Sequence, residues 1–116
     1  MRNHKNNFVY LKHINDSIIE ILNYLDKSNF KAFSQNTWNQ SAVMRHLEII
    51  GEAANNIEIE FQKQHAHIPW RVIIGLRNVV VHDYMDIDIN IIWQIITQDL
   101  KPLQRQVLEL LSTESP

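Results

Sequence analysis

Two glycines and three prolines in 116 residues leave this chain short of the residues that build tight hairpin turns and phosphate-cradling loops. A chain so poor in turn chemistry is expected to fold into long helices, and its apolar residues recur at helical intervals. Leu11, Ile14, Ile18, Ile21 and Leu25 step alternately by three and four, which stacks them on one helical face. Val43, Leu47, Ile50, Ala54, Ile57 and Phe61 repeat the rhythm and predict a second long helix, with Asn36-Thr37 supplying a side-chain oxygen for its N-cap. Between the two, Phe30 to Phe33 has room for one short turn of helix over the end of a bundle. Ile89, Ile92, Ile96, Leu100, Leu103, Val107 and Leu110 make a third seam, with Asp86 or Asp88 at its capping position. Pro102 lacks an amide hydrogen and crowds the preceding turn, so the third helix is expected to kink or split near Leu100.

The remaining segment, Pro69-Trp70 through His82, opens with a proline suited to a first helical position. Val79-Val80-Val81 has strand propensity, but a lone strand would find no partner here. A helix of about three turns ending near His82, followed by a loop over 83–86, fits better. The expectation is an all-α, antiparallel bundle of four to five helices forming a single domain over residues 1–116. A 45% hydrophobic composition is enough for one compact core, burying roughly two-thirds of the surface exposed when unfolded.

Composition also narrows the chemistry. The absence of cysteine removes disulfides, thiolate metal sites and cysteine nucleophiles, and suits a reducing compartment. The opening MRNHKNNF is too polar for a signal peptide, and no apolar run approaches the roughly 20 residues that span a bilayer. A cytoplasmic protein without membrane contact is expected. Net charge is −2 and the pI about 6.3, which argues against a protein that coats nucleic acid through bulk positive charge. A few arginines gathered in a cleft remain compatible with RNA.

Polar groups crowd most tightly in Gly75-Leu76-Arg77-Asn78-Val79-Val80-Val81-His82-Asp83-Tyr84. At about 100° per residue, Asn78 and His82 share a helical face, close enough for the amide to orient the imidazole. Arg77 would point about 140° away from His82, so the two converge only if the helix end bends, the arginine reaches round, or a second subunit completes the site. Tyr84 would return to the arginine's side. Taken alone, Arg77, Asn78 and His82 equally describe a helix terminus stabilised by cations near its C-terminal end, and Tyr84 a half-buried packing residue.

Arginine, four residues, histidine, one residue, tyrosine resembles the signature of HepT-like toxins in the HEPN superfamily. Leu47-Glu48-Ile49-Ile50-Gly51-Glu52-Ala53-Ala54 is similar to that family's central helix, Pro69-Trp70 and Ile74-Gly75-Leu76 to its approach to the motif, and Trp93 to Leu100 to its last helix. The resemblance spans roughly residues 8 to 110. It implies a HEPN-like bundle and metal-independent RNA cleavage without a cofactor, in a homodimer whose two signature segments face one another. Arg77, Asn78 and His82 would be the catalytic set. His82 would exchange protons with the ribose 2′-hydroxyl or the leaving oxygen, Arg77 would hold the phosphate and Asn78 would orient the imidazole. In a dimer each arginine can serve its partner's histidine. The resemblance further implies a small nucleotidyltransferase antitoxin of the MntA kind that transfers AMP to Tyr84, placing phosphate and adenosine beside the cleft. Transfer RNA is one candidate substrate, and a higher hetero-oligomer with the antitoxin one candidate assembly. The alternative is a non-catalytic adaptor whose signature face docks the nucleotidyltransferase.

Other polar clusters have plainer readings. His65 and His67 lack further placed ligands for a metal. Asp86, Asp88 and Asn90 imitate the opening of a calcium loop, but Ile91 stands where its glycine is needed and Thr97 where its bidentate glutamate belongs. No metal is expected. Glu48 and Glu52 share a face as a solvated carboxylate pair, with Arg45 an ion-pair partner for either. Gly51, Ala53 and Ala54 suggest close helix approach, with a dimer seam as one place for it. Trp38, Trp70 and Trp93 are expected to anchor packing or a subunit interface.

Overall fold

The computed structural model describes residues 5–81 and 88–114. Among them every regular element is helical: α1 (Lys5–Leu25), α2 (Phe30–Ser34), α3 (Thr37–Asn56), α4 (Ile59–Gln64), α5 (Trp70–Val81), α6 (Ile89–Gln94), a π-helical turn (Ile95–Asp99) and α7 (Leu100–Leu111). The fold is all-α and compatible with a HEPN-like bundle. Val79, Val80 and Val81 continue α5 and do not form a strand.

The three apolar seams meet in one core. Leu11, Ile14 and Ile18 of α1, Leu47 and Ile50 of α3, and Ile92, Ile96 and Leu100 of the last helical run are all but inaccessible. Polar contacts fix how the helices run. Asn7, near the start of α1, bonds Glu58, just beyond the end of α3, while Ser17 and His46 meet midway, Oγ to Nδ1 at 3.1 Å. Advancing along α1 therefore means retreating along α3, and the pair is antiparallel. The same holds for α1 and α7, where Gln104 donates to Asn15 at 3.3 Å and Lys12 pairs with Glu114 at 3.2 Å. α2 closes one end: Phe33 lies 5.3 Å from the ring of Trp93 and 6.3 Å from that of Tyr24, and its carbonyl accepts from Gln40 at 2.8 Å.

One helix boundary differs from the periodic reading. The second seam does not run on to Phe61 in one helix. α3 stops at Asn56, Ile57 turns to extended backbone, and Phe61 belongs to α4. Asn55 and Asn56 are weak helix formers whose side chains compete for backbone hydrogen bonds. Beyond the break, Asn7 captures the backbone N–H of Glu58 at 3.0 Å, so the tertiary contact consolidates the interruption. The third seam is disturbed just before Leu100, where Pro102 predicts a kink or split, by a π turn rather than a break. The chain stays helical from Ile89 to Leu111, and the i→i+5 turn over Ile95–Asp99 accommodates the proline's missing donor and bulky ring. Thr97 donates its hydroxyl to the Trp93 carbonyl at 2.7 Å where that wide turn begins. Because the π turn adds its residue without unwinding the helix, Ile96, Leu100 and Leu103 all still face the core. Caps follow the sequence elsewhere: Asn36 accepts from Asn39 at 3.0 Å and Asp88 from Asn90 at 2.9 Å.

Asn7 is fully buried, and both ends of its amide are used on Glu58, which accepts at Oε1 at 3.1 Å and donates its N–H at 3.0 Å. Removing this amide leaves a backbone donor without its partner, at a cost of about 1–3 kcal/mol. Asn7→Ala should therefore lower the unfolding free energy by that amount, read as a lower urea midpoint with the slope unchanged. A midpoint equal to the parent's would mean that the contact does not help hold α4 on α1.

Candidate functional site

α5 carries the arginine of the signature, and its placement follows from the helix's amphipathic pattern. Trp70, Ile73 and Leu76 are buried at successive i, i+3 positions. The Pro69 carbonyl accepts the first helical bond, from Ile73 at 3.1 Å, and Trp70 donates its indole N–H to the His65 carbonyl at 3.0 Å. With those three residues turned inward, Arg77 falls at the edge of the interface with α3, half-buried, and Asn78 is exposed.

Gly51 decides how closely α3 and α5 approach. A Cβ at this position would lie 2.5 Å from the backbone nitrogen of Arg77, 2.8 Å from its Cβ and 2.9 Å from the Ile74 carbonyl oxygen. No side chain fits there. The close approach suggested by the small residues is thus the contact of α3 with α5 inside the chain, and it falls on Arg77 itself. Ala53 and Ala54 are buried within the same core.

The next residue of α3, Glu52, reaches the other end of the arginine. Its Oε1 accepts from Nη1 of Arg77 at 3.3 Å, with the two side chains 55% and 31% exposed respectively. At that exposure the pair contributes about 0–1 kcal/mol to folding, so its main consequence is to orient the guanidinium. Arg45 pairs with Glu48 one turn further back, so Glu48 and Glu52 are not a free carboxylate pair: each has taken a different arginine. The positive groups along this face are balanced by carboxylates, which agrees with the slightly acidic net charge.

His82 and Tyr84 of the signature, with Asp83 and Asp86, lie outside the described residues. The structure therefore brings Arg77 and Asn78 to the end of α5 without bearing on the distance from either to the imidazole. The Arg77–Glu52 contact was not legible in the sequence, because its partners are 25 residues apart on different helices. The one signal was Gly51, whose bare backbone in an otherwise regular helix marks the crossing point.

Other features lie elsewhere. An apolar groove of about 340 Å³ runs between α5 and the last helix, lined by Val72, Ile73, Leu76, Leu100 and Leu103 among others; Arg77 and Asn78 are not part of it. His65 packs its ring on Phe61 at 4.6 Å and meets His67 at 6.2 Å. Among the described residues no group of three or more His, Asp or Glu is placed to hold a metal ion, and no helix is long and apolar enough to cross a membrane. Trp70 and Trp93 are packing anchors, but Trp38 is 85% exposed and does not anchor the core. It sits in the first turn of α3, ahead of the point where that helix's apolar seam begins.

The profile of the family described as ribonuclease HepT-like matches residues 14–110. Among curated relatives, the chain is 35% identical over 103 residues to a protein of Thermococcus cleftensis named "Probable ribonuclease HepT", covering 89% of this chain and 91% of the relative. It is 34% identical over 105 residues to a protein of Caldanaerobacter subterraneus subsp. tengcongensis named "Putative RNase", covering 90% and 94%. A third relative, from Methanocaldococcus jannaschii, is named "Gamma-glutamylcyclotransferase and putative RNase"; identity is 32% over 103 residues, and the match takes in 89% of this chain but 46% of that protein. The chain thus spans about half of this last relative and nearly all of the other two. No solved structure matches it. A match of the family profile across most of the bundle, with relatives above 30% identity over nine-tenths of the chain, places this protein in the HepT-like ribonuclease family.

Proposed function

We propose that this ribonuclease is a metal-independent endoribonuclease, the toxin of a toxin–antitoxin pair, acting on RNA as a homodimer through Arg77, Asn78 and His82. The observation that carries the reading is Arg77 itself. The signature arginine stands at the rim of the close α3–α5 contact, rooted against Gly51 and with its side chain partly exposed, where a planar fork of donors can meet a phosphate.

The reaction follows from these groups. The ribose 2′-oxygen attacks the adjacent phosphorus while its proton passes to a base, and the bond to the 5′-oxygen breaks as that oxygen takes a proton. An imidazole that titrates near neutrality can serve at either step, so His82 is the proton carrier. Negative charge gathers on the non-bridging oxygens, and Arg77 stabilises it. Asn78, four residues before His82 in the sequence, orients the ring. A homodimer gives each arginine access to its partner's histidine and answers the divergence expected on a single helix. Control falls to Tyr84: its phenolic oxygen attacks the α-phosphorus of ATP on a nucleotidyltransferase antitoxin, pyrophosphate leaves, and the AMP ester repels and obstructs RNA.

The test is incubation of the purified chain with total or transfer RNA in excess EDTA, with Tyr84 shown unmodified by mass spectrometry. Cleavage at a rate unchanged by the chelator is expected. Intact RNA with Tyr84 bare would overturn the enzyme and favour the adaptor, whose face would still bind the nucleotidyltransferase.

A further inference from the structure

We propose that Glu52 is a positioning residue for Arg77, and that Gly51 and Glu52, consecutive on α3, hold this arginine at its root and its tip for contact with an RNA phosphate. The inference rests on the nuclease reading above and adds to it a residue outside the signature.

Two independent contacts converge on one side chain. At the root, α3 and α5 pack so closely that a Cβ on Gly51 would lie 2.8 Å from the Cβ of Arg77, which leaves the start of the side chain no freedom to shift relative to α3. At the tip, Glu52 accepts from Nη1 at 3.3 Å. An arginine side chain is long and rotamer-rich, and its unaided guanidinium would sweep a wide volume. Fixing both ends removes that search before substrate arrives, which is what preorganised catalysis requires. The guanidinium has five N–H donors. Glu52 engages Nη1, leaving donors enough for a two-point grip on phosphate.

A carboxylate beside a phosphate site also carries a penalty, because it repels the incoming anion and competes for the arginine. The two effects fall on different kinetic constants. If Glu52 acts by positioning, its loss lowers kcat while leaving RNA binding unchanged or tighter. If it only competes, its loss raises turnover at low RNA and leaves kcat alone. A merely structural pair would alter neither.

The measurement is steady-state cleavage of a defined RNA by the full chain and by Glu52→Ala, Glu52→Gln, Arg77→Ala and the Arg77→Ala/Glu52→Ala double variant. Affinity is read separately with the same oligonucleotide carrying a 2′-deoxyribose at the scissile position. Glu52→Ala should lower kcat by about 10- to 100-fold, the scale set by a small misplacement of a reacting group. Its affinity for the deoxy probe should equal or exceed the parent's. Glu52→Gln keeps an oxygen acceptor for Nη1 and should restore kcat to within about threefold of the parent. The double variant should be no slower than Arg77→Ala, because the glutamate acts only through the arginine.

A Glu52→Ala chain that cuts at the parental kcat, or faster, overturns the positioning role while the nuclease reading survives in the loss shown by Arg77→Ala. A parent chain that does not cut overturns both. Thermal midpoints within about 3 °C of the parent are expected for the Glu52 variants, since an exposed pair contributes little to folding; a fall in kcat accompanied by unfolding at the assay temperature would count against positioning.

Discussion

Alanine at His82 should slow RNA cleavage by roughly 10²- to 10⁴-fold, the range that a positioned acid–base group supplies, while the helical fold stays intact. In barrier terms this is about 3–5 kcal/mol, at 1.36 kcal/mol per tenfold. The fold should persist because the seams of α1, α3, α5 and the last helical run already close a buried core among the described residues. Arg77 offers the companion test, and its conservative variant is the informative one. Arg77→Lys keeps the positive charge but replaces a planar fork by a point charge that cannot accept Glu52's restraint and grip two phosphate oxygens together. If charge alone were needed, lysine would cut nearly as well as arginine. If geometry matters, Arg77→Lys should lose most of the activity lost by Arg77→Ala. Cleavage by His82→Ala at the parental rate, with helical circular dichroism unchanged, would remove the imidazole from the mechanism.

The Arg77 and His82 variants test a site of which half was readable from local spacing. A helix announces itself through residues three and four apart, so the seams beginning at Leu11, Val43 and Ile89 placed three of the long helices and the inward faces of each. The signature too is local, all within one short stretch. What escaped was set by contacts between distant parts of the chain. The interruption at Ile57 depends on Asn7, which captures the Glu58 amide from another helix; the apolar rhythm carries straight across the break because Phe61 still reaches the core. Pro102 predicts a kink or split near Leu100, and the α-helix does give way just before that residue, but the form of the interruption is not local. The chain answers it with a π turn, an adjustment that keeps Ile96 within the turn and Leu100 just after it in the core. On local spacing alone Glu52 is one of a solvated carboxylate pair with Glu48, and Arg45 can pair with either. Packing α5 against Gly51 brings Arg77 within reach of Glu52, while Arg45 bonds Glu48.

That packing makes the two glycines opposite in their response to alanine. In a regular helix, exchanging glycine for alanine gains up to about 1 kcal/mol in propensity. A Cβ at Gly75 would have nothing within 4 Å, so Gly75→Ala should be stabilising, raising the thermal midpoint by roughly 4 °C. At Gly51 the same methyl meets backbone atoms of α5, at 2.5 Å from the Arg77 nitrogen and 2.9 Å from the Ile74 carbonyl oxygen, and neither can move without displacing the helix. Overpacking of this kind costs about 1–3 kcal/mol, occasionally more, which exceeds the propensity gain. Gly51→Ala should therefore lower the midpoint, and Gly51→Val, bulkier and β-branched, should lower it by about 10 °C or more. Two of the three colliding atoms belong to Arg77, so α5 can relieve the clash only by shifting its arginine relative to Glu52. Cleavage by folded Gly51→Ala, measured well below its midpoint, should consequently fall further than its loss of stability accounts for, whereas Gly75→Ala should cut as the parent does. If Gly51→Ala instead melts above the parent and retains full activity, α3 and α5 do not meet as closely as this packing requires, and the anchoring of Arg77 at its root fails with it.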